Sequence, residues 1–98
     1  MSEMRQYSQN PRTAFRRMDG KGVLIVIDRQ ELHALNPVGA RVWELARDRS
    51  LEAIAIQIQA EFEVGAERAL SDVTSFIERM VDLGAIQPSR SGTAGVGS

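Results

Sequence analysis

The sequence predicts an α+β domain, a three-stranded antiparallel β-meander followed by a three-helix, winged-helix-like bundle. Three observations lead there. Val23, Leu24, Ile25, Val26 and Ile27 form an unbroken aliphatic run, mostly β-branched and too short for a helix. Turn-forming residues flank that run on both sides, Asp19-Gly20-Lys21-Gly22 before it and Asp28-Arg29-Gln30 after it. From Asn36 onward the period changes, and apolar residues recur at helical spacing in three separate blocks.

Residues 1–12 carry Ser, Gln, Asn and Pro without an apolar period and are expected to form a loose arm. Residues 13–18 read as a first strand, and glycines 20 and 22 supply the positive φ that a hairpin needs. Residues 23–27 are the expected central strand, because both faces are apolar and need cover. Residues 31–35 make a short third strand with Leu32 and Ala34 on one face and His33 turned outward.

Asn36-Pro37 is a helix start, since Asn caps a free backbone N–H and Pro suits the first helical position. Val38, Val42 and Leu45, with Trp43 and Ala46 beside them, form the apolar stripe of the first helix, and Arg47-Asp48-Arg49 ends it. Ser50 caps a second helix carrying Leu51, Ile54, Ala55, Ile58 and Phe62. A third, over 66–83, bears Ala69, Leu70, Val73, Phe76, Ile77, Met80 and Leu83, with Gly84 as its left-handed cap. Pro88 is expected to stop regular structure. The domain is therefore predicted over 13–87, with a flexible Gly/Ser-rich tail over 88–98. The expected core holds Leu24, Val26, Leu35, Val42, Leu45, Ile54, Ile58, Val73, Ile77 and Met80, with Trp43 at least half buried.

Composition removes several function classes. The 98 residues contain no cysteine, which excludes thiolate metal sites, cysteine catalysis and disulfides. His33 is the only histidine and has no partners at ligand spacing, so neither a metal site nor a cofactor is expected. Ser71 and Ser75 have no histidine base in the pattern, and the two hairpin glycines do not precede a helix as a phosphate loop requires. An enzyme is not expected. A net charge of −1 supplies no general field for nucleic acid or anionic membrane. Arg12, Arg16, Arg17 and Lys21 make the first hairpin locally basic. A winged-helix DNA-binding regulator is the alternative reading. Its recognition helix, however, would carry only Arg68 and Arg79 against Glu67, Asp72, Glu78 and Asp82. With no apolar signal core and no run of membrane-spanning length, the chain is expected to be cytoplasmic. One core accounts for most apolar residues, so a monomer is expected, with exchange of the N-terminal hairpin as the route to a dimer.

Residues 23–86 resemble the PqqD-like family, the recognition elements for precursors of ribosomally made, modified peptides. The resemblance rests on the aliphatic strand 23–27, on Leu35-Asn36 leading into Ala40-Arg41-Val42-Trp43-Glu44-Leu45, and on Leu51-Glu52-Ala53-Ile54-Ala55. Phe62-Glu63-Val64, Asp72-Val73, Phe76-Ile77 and Leu83-Gly84-Ala85-Ile86 complete it. It implies a non-catalytic peptide chaperone that binds the leader of a precursor peptide and presents it to a separate modifying enzyme, often a radical SAM protein. It also implies a leader seated between the third strand and the third helix. An edge strand offers unpaired N–H and C=O groups to an extended peptide. The expected peptide-binding residues are therefore Glu31, Leu32, His33, Ala34 and Leu35 on the strand, with Asp72, Phe76 and Arg79 on one margin of the helix. Leu70 and Val81 lie near its other margin.

Overall fold

The computed structural model describes residues 5–89. Its first sheet is the expected meander: β2 (Thr13–Met18), β3 (Lys21–Val26) and β4 (Glu31–Leu35), antiparallel in that order. The β2–β3 turn is tighter than the spacing of its glycines suggested. Asp19 (φ 53°) and Gly20 (φ 80°) both take left-handed geometry, and Lys21 is already in the strand. Gly22 serves packing instead. A Cβ there would lie 2.5 Å from the Phe15 ring and 3.1 Å from Ala40, so the sheet meets the first helix at a position where only glycine fits. Ile27 leaves the strand for a short 3₁₀ turn, Ile27–Arg29, closed by Gln30 at φ 55°.

Three helices follow: α1 (Pro37–Leu45), α2 (Leu51–Phe62) and α3 (Ala66–Asp82). Asn36 caps α1 by accepting from the Gly39 N–H at 2.7 Å, and Ser50 caps α2 by accepting from the Ala53 N–H at 3.1 Å. Glu63 ends α2 in the left-handed region, and Gly84 (φ 78°) follows α3. All ten expected core residues are buried in one cluster, and Trp43 is only 2% exposed. Ala85 and Ile86 close the cluster from the C-terminal side.

Two expectations about the ends are corrected. Residues 6–9 are not a loose arm but strand β1 (Gln6–Gln9). It pairs on one side with β5 (Arg47–Ser50) and on the other with β6 (Ile86–Ser89), giving a second sheet in the order β5-β1-β6. Arg47 to Arg49 thus form a strand after the first helix, and Pro88 lies inside β6 opposite Tyr7. Pro is compatible with a strand that pairs on one side only. The polar side chains of β1 gave no period because backbone partners far away in sequence hold it. The Gln9 N–H donates to the Ala46 carbonyl at 3.1 Å, the Gln9 side chain to the Trp43 carbonyl at 2.8 Å, and the Asn10 N–H to the Ala85 carbonyl at 2.8 Å. The remaining parts of the expected arm and tail, 1–4 and 90–98, lie outside the described residues.

The sheet β2-β3-β4 packs one face on the helices and leaves the other open. Leu24, Val26 and Leu35 face inward, whereas Ile25 and Leu32 on the reverse face are 39% and 65% exposed. The expectation that both faces of residues 23–27 are covered does not hold, because all three helices lie on one side.

An ionic network ties the hairpin to the helices. Arg17 on β2 donates to both Glu44 carboxylate oxygens at 2.9 and 3.0 Å, and Arg41 bridges Glu44 at 3.2 Å and Glu61 at 2.8 and 3.0 Å. Hydrogen bonds from Arg17, then from Arg41, hold the Glu44 carboxyl below the ordinary carboxylate range despite partial burial. Arg41 and Gln57 do the same for Glu61. A carboxyl whose pKa is depressed in the folded state contributes its full stabilisation above the unfolded pKa, about 4.3 for Glu, and loses it as pH falls through the folded value. The difference in urea midpoint between the native chain and Glu44→Gln is therefore expected to be constant from neutral pH down to about pH 5, then to shrink on further acidification. A difference that stayed constant down to pH 3 would show that charge at Glu44 contributes nothing.

Candidate functional site

β4 pairs only with β3, so its other edge is unpaired, and a cleft of about 610 Å³ lies beside its C-terminal end. Three elements build the cleft. β4 and the residue after it contribute Ala34, Leu35 and Asn36. The first turns of α1 contribute Val38, Gly39 and Val42. A stripe along α3 contributes Arg68, Asp72, Ser75, Phe76 and Arg79. The volume lies within the range of about 300–1,000 Å³ usual for ligand sites.

The floor is apolar and its α3 wall is charged. The Phe76 ring is 8% exposed and packs against α1 at Gly39. A Cβ at Gly39 would lie 3.0 Å from that ring and 3.2 Å from the capping oxygen of Asn36. Glycine there lets α1 approach α3 closely, at the cost of about 1 kcal/mol in helix propensity relative to Ala. On the wall, Arg68 donates to Asp72 one turn along at 3.2 Å, an exposed i,i+4 pair. The Arg79 side chain has no hydrogen-bond or ion-pair partner among the described residues.

The structure brings together five of the eight residues singled out from the sequence: Ala34, Leu35, Asp72, Phe76 and Arg79 all line the cleft. Glu31, Leu32 and His33 lie on the same edge strand but do not line it. The facing expected within β4 is reversed. His33 lies opposite buried Leu24 on the inward face and is half-buried beside Glu31 (3.1 Å), while Leu32 and Ala34 face outward. Leu35, the most deeply buried residue of β4, sets this parity, and a strand must keep it throughout. The cleft opens at the Asp72 and Arg79 margin of α3; Leu70, 40% exposed, lies outside it. Sequence reasoning missed the contribution of α1. The available signal was Gly39, a glycine inside a capped helix.

The family described as coenzyme PQQ synthesis protein D (PqqD) matches residues 21–86, most of the chain and every element that borders the cleft. The chain belongs to the PqqD family. Two solved structures share the PqqD-like fold. One is TbiB1 in complex with the TbiA(beta) leader peptide, with a TM-score of 0.74, 20% identity, and coverage of 86% of this chain and 99% of that one. The other is a lasso peptide synthetase B1 complexed with the leader peptide, with a TM-score of 0.72, 21% identity, and coverage of 85% and 99%. No curated protein matches the chain. Among the described residues, no helix is long and apolar enough to cross a membrane, and no cluster of His, Asp and Glu is placed to hold a metal ion.

Proposed function

We propose that this PqqD-family chain is a non-catalytic peptide-binding chaperone. It binds the leader of a ribosomally synthesised precursor and presents it to a separate modifying enzyme, of the radical SAM class by family precedent. One observation carries the reading: an unpaired strand edge borders an apolar-floored cleft walled by α3. Backbone pairing with β4 gives affinity that tolerates sequence variation, and the cleft selects the side chains that enter it. Both structural neighbours are complexes with leader peptides, which supports the same use of the shared fold. Nothing favours the DNA-binding alternative. The α3 surface is mixed in charge, and its Arg68 is engaged by Asp72 rather than free for phosphate.

The test is an NMR titration of the labelled chain with the N-terminal half of a short precursor encoded beside its gene. Amide shifts are expected at residues 31–36 and 72–79, and in the first turn of α1. Shifts confined to the β5-β1-β6 sheet, or to the turn at Asp19-Gly20, would overturn the docking mode.

A further inference from the structure

The cleft has an unbalanced charge, and its position relative to the apolar floor defines what the bound peptide must carry. Three charged side chains line it: Arg68, Asp72 and Arg79. Arg68 and Asp72 neutralise each other. The nearby Glu31 is engaged by His33, and no carboxylate of the chain pairs with Arg79 among the described residues. One positive charge therefore stands beside the apolar floor formed by Leu35, Val38, Val42 and Phe76.

Phe76 and Arg79 are three residues apart on α3, so they lie on one face about 4.5 Å apart along the axis. An added strand directs every second side chain to one face, with a repeat of about 6.8 Å. For a peptide laid along α3, a side chain over Phe76 is followed, two residues away, by one within reach of the long Arg79 guanidinium.

Building on the leader-binding reading above, we infer that Arg79 is a specificity-determining residue: the cleft selects an extended peptide with an apolar anchor and an Asp or Glu two residues from it. The apolar side chain fills the floor beside Phe76. The carboxylate accepts from the Arg79 guanidinium, whose planar donors match it in a bidentate arrangement. A competing role for Arg79 is to complement the C-terminal dipole of α3, where it sits in the last turn.

A random-sequence peptide library displayed on phage, selected against the full chain, separates these roles. The selected peptides are expected to share an apolar residue with Asp or Glu two positions away. Replacing that carboxylate by its amide is expected to weaken binding roughly ten-fold. The same replacement should have little further effect on Arg79→Gln, which loses the charge but keeps most of the stem. Peptides that shift cleft residues by NMR, yet show no carboxylate preference and bind Arg79→Gln unchanged, would overturn the inference and leave leader binding intact. A lowered urea midpoint with unchanged affinity would assign Arg79 to the helix dipole instead. If no selected peptide moves β4 or α3, the leader reading falls along with the inference.

Discussion

Replacing Trp43 with alanine is expected to remove about 3–5 kcal/mol of folding stability. Trp43 is 2% exposed, and its indole lies where α1 meets the β2-β3-β4 sheet. Its ring centroid is 6.0 Å from that of Phe15 on β2, tilted by 33°. Its backbone carbonyl accepts from the Gln9 side chain at 2.8 Å, which fastens β1 of the second sheet to the helix. Truncation leaves a cavity between elements that are far apart in sequence and cannot all collapse into it. A domain of this size has about 5–15 kcal/mol of stability in total, so the variant should unfold at far lower urea. Trp43 is the sole tryptophan, so the unfolding must be followed by circular dichroism rather than fluorescence. A loss below about 1 kcal/mol would mean that the indole is not a core group.

Phe76→Ala is expected to weaken leader binding by about 1–3 kcal/mol, roughly 5- to 150-fold in Kd. The ring forms the floor of the cleft and fills the space over Gly39, so its removal deletes the surface that an entering apolar side chain would cover. Because the ring is almost buried, the same substitution also lowers stability, by about 3–5 kcal/mol if the site cannot collapse. Affinity must therefore be measured by calorimetry at a temperature where circular dichroism shows the variant folded. Phe76→Leu keeps most of the burial while losing the ring, and its affinity should fall between the other two. Unchanged Kd for a folded Phe76→Ala would remove the cleft floor from the binding site.

The residues that were legible in the sequence are those whose signal is local. Asn36-Pro37 marks the start of α1 because a cap and a fixed φ are properties of neighbouring residues. The apolar stripe of α3 is visible because five residues at helical spacing, Ala69, Val73, Phe76, Ile77 and Met80, bury one continuous face. Phe76 and its neighbours Asp72 and Arg79 could be placed on a margin of that stripe by counting. Which margin borders the cleft could not, since α1 determines it by closing against Phe76 through Gly39.

The sequence by itself determined the order and type of the meander strands and the three helices, the burial of Trp43 and the edge position of residues 31–35. Each follows from periodicity, capping and turn chemistry within a few residues. Only the tertiary structure decided that residues 6–9 are a strand, that His33 faces inward, and that α1 shares the cleft with β4 and α3. The physical reason is the same in all three cases. Strand β1 exists through backbone bonds to partners about 40 and 80 residues away, so its own side chains carry no pattern. The facing of β4 is set by one buried residue, Leu35, through a parity that short alternating strands leave open. The cleft is a gap between packed elements, and its shape is decided by how closely their backbones approach.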